Sequence, residues 1–249
     1  IPLYWETPND LSAQIASSNN AVIINIAGHF VSRHNSVDIP ALVSGNYEFP
    51  IQIFESLKLS GHKRIVNIGT SWEFSDTGVI EPANLYAQMK AANSQVLAWY
   101  ARHFPFQAVN LKLSDTYGGD DTRLKLMPLL KKSWLEGREI ELVSRNNIIN
   151  LLHITDVVEG IIAAAVHTEC VTEHKTVDAF LLSKETISIG NLIETLQTKV
   201  SKELKVIYTQ NEQDIGKLRG VWSSAPRVPG WEPRIGLLDG MTEYFGGKI

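Results

Sequence analysis

The sequence predicts an α/β fold in which a doubly wound parallel β-sheet is covered by helices on both faces. Segments with strand character alternate with segments whose apolar residues recur at helical spacing. The early strands, AVIINIA at 21–27 and RIVNI at 64–68, are almost continuously apolar, as expected of strands buried on both faces. Shorter and more polar elements in the second half predict a smaller α/β lobe added to the sheet.

In the first half, the predicted elements follow one another closely. Asn9 is a favourable N-cap for an amphipathic helix, and Gly28 ends the apolar strand 21–27. Pro82 opens a long helical segment that stops before Pro105. The predicted order is strand 1–4, helix 9–17, strand 21–27, helix 38–59, strand 64–68, helix 83–104 and strand 106–113.

In the second half, the signals are more local. A turn at 117–121 precedes a helix that ends at Gly137. Thr155 or Asp156 caps the next helix, and Ser188 caps the one after it. The predicted order is helix 123–136, strand 139–143, helix 157–167, strand 177–182, helix 189–200, strand 205–208 and helix 236–245.

The composition is that of a globular protein and argues against nucleic acid or a membrane as a partner. The 249 residues are 44% hydrophobic and 20% charged, with a net charge of −4. This charge provides no basic field for nucleic acid or an anionic membrane, and no run approaches the ~20 apolar residues of a membrane helix. With the single Cys170 and no signal-peptide pattern, we expect a cytoplasmic protein. The seven histidines show no metal-ligand spacing, so no metal site is expected.

Two side chains that could carry chemistry, Tyr86 and Lys90, lie four residues apart in a predicted helix. Residues at this spacing share one helical face. An ammonium group there lowers the pKa of a phenol, ordinarily ~10, toward the range in which it exchanges protons near neutral pH. Taken alone, the pair is more typical of a solvated helix face. However, the hydroxyls of Thr70 and Ser71 follow a buried strand, where doubly wound sheets bind ligands.

The order of these residues resembles that of the extended short-chain dehydrogenases/reductases, in the NAD-dependent epimerase/dehydratase group. Thr70, Tyr86 and Lys90 match the Ser/Thr–Tyr–Lys catalytic set, and Asn46 resembles the asparagine of an earlier helix. Further similar segments are NIAG at 25–28, LKLSDTYGGDDTR at 111–123, the segment 140–161 and PGWEP at 229–233. The resemblance implies a Rossmann-type cofactor domain over 1–170, with 114–150 partly in the substrate lobe, and a C-terminal substrate-binding lobe over 171–249.

The resemblance also implies roles for single residues. Tyr86 is expected to donate the proton, Lys90 to lower the pKa of Tyr86 and bind the nicotinamide ribose, Thr70 to hydrogen-bond the carbonyl oxygen, and Asn46 to anchor a proton relay. The cofactor, NADPH or NADH, is expected to contact Ala27, Gly28, Ile68, Tyr86 and Lys90. The nucleotide-sugar substrate is expected to contact Ser71, Trp72, Asp115, Thr116 and Arg123. A homodimer is expected through the helices that carry Asn46 and Tyr86.

Within the group, GTSW at 69–72, NLY at 84–86 and DTYG at 115–118 look most like CDP-sugar 4-ketoreductases of the abequose and paratose synthase type. This likeness implies reduction of the 4-keto group of a nucleotide-linked deoxyhexose, with CDP as the nucleotide, in surface-polysaccharide synthesis. The alternatives are an NAD-dependent nucleotide-sugar 4-epimerase and a non-catalytic dinucleotide-binding protein of the same fold. Dehydratases of the group place Asp-Glu directly after the catalytic threonine. Here Glu73 comes one place late. If Ser71 is instead the catalytic hydroxyl, Glu73 is in place but Trp72 stands where the Asp should be, so dehydration by that route is not expected.

The sequence departs from the group in two further ways. The glycine-rich turn that binds the cofactor pyrophosphate is not found, although in the group it precedes the strand that matches 21–27. We therefore expect a further N-terminal segment of roughly sixty residues, about two βα units. In addition, Ile149 stands where the group has a phosphate-binding arginine. The candidates for diphosphate contacts are Arg123, Lys125, Arg145 and Arg227.

Overall fold

The computed structural model describes residues 6–17, 21–121, 123, 125–199, 204–209 and 220–246, and the predicted strand 1–4 lies outside them. The described residues form two compact units that interleave in sequence. Unit 1 comprises those within Ile1–Leu113, Glu159–Leu181 and Ser224–Trp231. Unit 2 comprises those within Ser114–Val158, Leu182–Ser223 and Glu232–Ile249. The division into 1–170 and 171–249 stays a prediction.

Unit 1 is built on a four-stranded parallel sheet, which confirms the predicted α/β class. The strand order is β1-β2-β3-β8, with β1 Ile23–Asn25, β2 Arg64–Thr70, β3 Gln107–Leu113 and β8 Lys175–Leu181. β2 and β3 are buried along nearly their whole length, as their apolar runs predict. β1 is shorter than the predicted strand 21–27 and lies at the edge of this sheet, where Ile24 and Ile26 are exposed.

The helices of unit 1 pack their apolar faces against the sheet and one another. They are α1 Pro8–Ala16, α2 Ile39–Val43, α3 Phe49–Ser60 and α4 Leu85–His103. Their core includes Leu11, Phe54, Leu57, Leu97 and Phe106. The predicted helix 38–59 is interrupted, because a wide π-type turn, Ser44–Glu48, joins α2 to α3.

Unit 2 contains short elements around a separate core. Its strand pairs are β4 Asp115–Tyr117 with β7 Leu151–His153, β5 Ile140–Leu142 with β10 Val206–Tyr208, and β6 Ile148–Ile149 with β9 Ile187–Ser188. Its helices are α5 Leu126–Glu136, α7 Ile189–Lys199 and α8 Leu237–Tyr244, while α6 Ile154–His167 has residues in both units. The core includes Tyr117, Leu130, Leu151, Leu192 and Met241.

Two helix starts differ from the prediction. Thr7, not Asn9, is the N-cap of α1, because its side chain and that of Asp10 form a reciprocal capping box around Pro8.

The helix predicted to start after Thr155 or Asp156 already begins at Ile154, so neither residue is its cap. The buried carboxylate of Asp156 instead accepts hydrogen bonds from the backbone N–H groups of Arg234 and Ile235, both at 3.0 Å. The predicted cap Ser188 is confirmed, since its Oγ accepts from Asn191 N at 3.1 Å.

A row of polar side chains crosses the sheet of unit 1 in register. Asn25, Asn67, Asn110 and Asp178 are aligned neighbours on β1, β2, β3 and β8. Asn25 Nδ2 donates to Asn67 Oδ1 at 2.8 Å, and Asn110 Nδ2 donates to Asp178 Oδ1 at 2.8 Å. Asn67 Nδ2 donates to Asn110 Oδ1 at 3.2 Å and to Asn93 Oδ1 of α4 at 2.8 Å. We name these five side chains the amide row.

Replacement of the central residue of the amide row by an apolar one is expected to destabilise unit 1. In Asn67→Leu, buried groups of Asn25 and Asn93 lose their partner and Asn110 Oδ1 keeps only Ser94, and an unpaired buried polar group costs ~1–3 kcal/mol. We expect the free energy of unfolding in urea to fall by about 2–4 kcal/mol. The exposed Asn9→Ala is the control, and a loss for Asn67→Leu no larger than that of the control contradicts the prediction.

Candidate functional site

The first turns of α4 present the predicted tyrosine and lysine. Asn84 starts this helix, because its side-chain oxygen accepts from the N–H of Ala87 at 2.9 Å. Tyr86 lies in the first turn, and Lys90 follows one turn later on the same face. The Tyr86 ring is half-buried and meets the edge of Phe30, with 5.1 Å between ring centroids. Phe30 also contacts Trp72, with 6.0 Å between centroids, and was not predicted as a site residue.

The ammonium group of Lys90 joins the ends of two chain segments. Nζ donates to the carbonyl of Ala27 at 3.0 Å, after β1, and to that of Ile68 at 3.1 Å, in β2. The side chain is only 3% exposed. Burial lowers the pKa of Lys90 to about 8, the nearby Glu73 opposes this effect and Lys112 adds to it. Lys90 therefore remains mostly protonated at neutral pH.

Gly28 is the position at which the predicted cofactor and relay residues meet. A Cβ atom at Gly28 would lie 2.9 Å from Asn46 Oδ1 and 2.9 Å from Lys90 Nζ, closer than real Cβ contacts. Only glycine fits there without movement of these side chains. The structure thus brings Ala27, Gly28, Asn46, Ile68 and Lys90 together.

Asn46 holds the loop that follows β1. It is fully buried in the π-type turn, and its Nδ2 donates to the carbonyls of His29 at 2.8 Å and Leu42 at 2.9 Å. Its Oδ1 accepts from the N–H of His29 at 3.1 Å. These bonds fix the backbone next to Gly28 against α2.

Thr70 ends β2 and begins a tight turn. Its Oγ1 accepts from Trp72 N at 3.2 Å, and its N–H donates to Glu73 Oε1 at 2.8 Å. The other carboxylate oxygen of Glu73 accepts from Lys112 Nζ at 2.5 Å and from Ser94 Oγ at 3.1 Å. Neither Glu73 nor Lys112 was predicted as a site residue. The spacing of Thr70 and Glu73, T-x-x-E, is nevertheless the sequence signature of a capping box.

The predicted substrate residues are divided between the units. Ser71 and Trp72 belong to unit 1, next to Thr70, whereas Asp115, Thr116 and Arg123 belong to unit 2. Asp115 and Thr116 are half-buried in β4. Their contacts with a substrate stay a prediction.

A charged cluster in unit 2 surrounds the exposed Arg123. Arg123 forms a two-point ion pair with Asp121, with both N···O distances 2.7 Å, and this lowers the pKa of Asp121. Burial and the charge of Arg123 lower the pKa of Lys125, while the nearby Asp121 and Asp115 oppose this change. The cluster thus combines two cations with two carboxylates.

Comparison with known proteins identifies the family. The model of the NAD-dependent epimerase/dehydratase family matches residues 3–178, more than half of the chain. The chain belongs to this family. Within the described residues, no helix is long and apolar enough to cross a membrane, and no group of three or more His, Cys, Asp or Glu residues is arranged to hold a metal.

Individual relatives of this epimerase/dehydratase family member are distant. CDP-abequose synthase of Yersinia pseudotuberculosis is 28% identical over 142 residues, which is 57% of this chain and 50% of that protein. The aligned region therefore spans half the length of that relative.

Solved structures show the same Rossmann-type fold. UDP-glucuronic acid 4-epimerase from Bacillus cereus, in complex with UDP-glucuronic acid and NAD, has a TM-score of 0.79 at 18% identity, covering 95% of this chain and 77% of its own. UDP-glucose 4-epimerase from Thermus thermophilus, in complex with NAD, has a TM-score of 0.77 at 14% identity. The alignment covers 100% of this chain and 86% of the epimerase chain. These similarities confirm the predicted fold class.

The buried ammonium group of Lys90 is expected to make stability depend on pH. Its pKa is about 8 in the folded chain and ordinarily 10.5, so between these values the unfolded chain binds more protons and stability rises with pH. Relative to Lys90→Met, the wild-type free energy of unfolding should increase by about 2 kcal/mol from pH 7.5 to 9.5. Denaturant titrations measure this difference. Lys58→Met, at an exposed position of unit 1, is the matched control. If the difference in free energy of unfolding between the wild type and Lys90→Met does not change with pH, the prediction is wrong.

Proposed function

We propose that this protein is a cytoplasmic NAD(P)H-dependent oxidoreductase that reduces the 4-keto group of a nucleotide-linked deoxyhexose, with CDP as the nucleotide. The observation that carries the proposal is the buried ammonium group of Lys90, one helical turn from Tyr86 and bonded to the carbonyls of Ala27 and Ile68. Family membership supports a nicotinamide cofactor, and the match to CDP-abequose synthase supports the nucleotide and the sugar class.

The residues present fit a nicotinamide ribose next to Lys90. An ammonium group has three N–H donors, and within the described residues two of them are used by backbone carbonyls. The third is available for a ribose hydroxyl. Gly28 contributes to this arrangement, because the absence of a side chain lets Lys90 and Asn46 pack against the backbone and so fixes the position of the ammonium group.

In this proposal, side chains of this protein donate the proton to the substrate oxygen and stabilise the charge that develops there. When bound, the nicotinamide supplies the hydride. The positive charge of Lys90 favours release of the Tyr86 proton to the substrate oxygen, because an adjacent cation stabilises a phenolate. The hydroxyl of Thr70 already accepts a hydrogen bond from Trp72 N, so its own hydrogen can be donated to the same substrate oxygen. Asn46 holds the loop at Gly28 in place.

Dehydration is disfavoured by the surroundings of the nearest carboxylate. Both oxygens of Glu73 accept hydrogen bonds within the protein, and the side chain is 1% exposed. A general base must reach the substrate proton within hydrogen-bond distance. Reduction and epimerisation both remain compatible with the site. Tightly retained NAD and turnover without added cofactor would favour the alternative 4-epimerase, whereas stoichiometric consumption of NADPH or NADH favours the reductase.

We also propose a homodimer through α2, α3 and α4, the helices beside Asn46 and Tyr86. Apolar side chains on these helices are exposed in the single chain, as expected of an interface. They are Ile39, Val43, Leu59 and Trp99.

A charge among these exposed apolar residues should prevent dimer formation. Trp99 is 46% exposed, and Trp99→Glu places a carboxylate where the partner helix would bury it, which costs several kcal/mol. Sedimentation velocity should then give a monomer where the wild type gives a dimer. Leu135→Glu, at a 60% exposed apolar position of α5, is the matched control and should leave the dimer intact. A Trp99→Glu protein that remains dimeric rules out this interface.

Removal of the Tyr86 hydroxyl should abolish reduction. With full-length protein, oxidation of NADPH or NADH is followed at 340 nm with CDP-, dTDP- and GDP-linked 4-keto-6-deoxy sugars. For the substrate turned over fastest, Tyr86→Phe should lower kcat about 100- to 10,000-fold, because general acid catalysis contributes this much.

Tyr100→Phe is the matched control, since Tyr100 lies on the same helix and donates to Glu55 at 2.9 Å, away from Lys90. It should retain wild-type kcat. If the Tyr86→Phe enzyme reduces the substrate as fast as the control, Tyr86 is not the proton donor. If no 4-keto sugar is reduced by the wild type, the proposed reaction is wrong.

A further inference from the structure

We propose that the buried pair Glu73–Lys112 is a positioning device, which fixes the backbone of Thr70 and sets the electrostatic field at the ammonium group of Lys90. Glu73 and Lys112 touch neither cofactor nor substrate in this proposal and act through Thr70 and Lys90. The roles of those two residues rest on the proposed function.

The pair is buried more completely than ion pairs usually are. Glu73 and Lys112 are 1% and 0% exposed, and Nζ and Oε2 are 2.5 Å apart. Lys112 Nζ also donates to Ser94 Oγ at 2.6 Å. A buried pair adds little net stability, because desolvation offsets the Coulomb attraction. Its presence at the carboxyl ends of β2 and β3 therefore points to a role other than stability.

Glu73 connects the pair to Thr70. Its Oε1 accepts the N–H of Thr70 at 2.8 Å, while Oε2 is held by Lys112. The carboxylate cannot rotate without breaking one of these bonds. The orientation of Thr70 at the end of β2 is thereby tied to Lys112 on β3.

There is no spare room around this contact. A Cβ atom at Gly69 would collide with Glu73 Oε1 and lie 2.9 Å from Lys112 Cδ. Gly69 is the aligned neighbour of Lys112 in the sheet. Both charged side chains therefore pack directly on the backbone of β2, which explains why glycine precedes Thr70.

Ser94 connects the pair to α4. Its hydroxyl lies within hydrogen-bond distance of Glu73 Oε2 at 3.1 Å, of Asn110 Oδ1 at 3.3 Å and of the Lys90 carbonyl at 3.0 Å. Ser94 is one turn after Lys90, so the pair contacts the helical turn that carries the ammonium group. Asn110 also links this contact to the amide row.

The charges of the pair act on Lys90 in opposite directions. Glu73 raises the pKa of Lys90 and Lys112 lowers it. Tyr86 lies one turn earlier on the same helix, whereas Ala27, Gly28 and Asn46 present uncharged groups. Asp178 on β8 is bonded to Asn110. Removal of either charge alone should therefore move the titration of Lys90, and removal of both should leave it nearly unchanged.

The titration of Lys90 can be measured independently of turnover. In protein labelled with 13C at the lysine Cε, the Lys90 resonance is assigned by its loss in Lys90→Arg and followed with pH. Glu73→Gln should move the midpoint below that of wild type and Lys112→Met should move it above, each by about 0.5 pH unit or more. The alkaline limb of kcat should move in the same directions, because catalysis needs protonated Lys90.

The exposed pair Lys63–Glu173 of unit 1, 2.7 Å apart, provides the matched control. Glu173→Gln should leave both the titration and kcat unchanged. Midpoints of Glu73→Gln and Lys112→Met that do not lie on opposite sides of wild type overturn the proposal, whatever the activity. If the midpoints move as expected but the pH profile of kcat does not follow, the pair still sets the field, and the proposed catalytic role of Lys90 fails instead.

The double variant Glu73→Gln/Lys112→Met tests the positioning of Thr70. The double variant leaves neither charge buried without its partner, so it can be measured even if one of the single variants does not fold. The Lys90 midpoint should stay within about 0.3 pH unit of wild type. We expect kcat to fall about tenfold with little change in the cofactor KM, because the introduced amide side chain no longer has its orientation fixed by an ammonium group on β3. Wild-type kcat in this variant would overturn the positioning role.

Discussion

The buried ammonium group of Lys90 is the constraint on which the arrangement of unit 1 depends. A charge that is removed from water must be surrounded by polar groups, or its pKa shifts until the charge is lost. Here the carbonyls of Ala27 and Ile68 supply that surrounding, so the ends of two chain segments are held against α4. The approach is so close that only glycine fits at residue 28, and Asn46 then fixes the loop beside it.

The interior between the sheet and α4 is unusually polar for a parallel α/β unit. The amide row occupies the same position on four neighbouring strands, and Glu73 and Lys112 occupy the strand ends beyond it. Each group is costly to bury alone, and the hydrogen bonds between these side chains form only when the strands are in this register. A shift of one strand would leave amides unpaired. Polar pairing therefore specifies the register, while the apolar residues on the adjoining positions supply the driving force for burial.

The sequence alone predicts the secondary-structure elements that have long, regular patterns. It does not predict contacts between residues that are far apart in the chain. β2, β3 and α4 were predicted to within a few residues, because their apolar runs and caps are local signals. β6 and β9 have two residues each, too few for any periodicity. The local sequence predicts Asp156 as a possible cap, yet its hydrogen-bond partners are almost eighty residues later in the chain. The catalytic motif predicted Lys90, but no spacing could reveal that Glu73 pairs with Lys112.

The pairing of Glu73 bears on which chemistry this family member can perform. A carboxylate that already accepts bonds from Thr70, Lys112 and Ser94 has its lone pairs directed at the protein instead of a substrate. The same position in the chain could serve as a base only if Lys112 released it. Because Lys112 is itself fully buried, that release would leave a bare ammonium group in the interior. The lysine at 112 thus commits Glu73 to structure, which is consistent with the proposal that Tyr86 transfers the proton and that the reaction is hydride transfer at a carbonyl, not elimination of water.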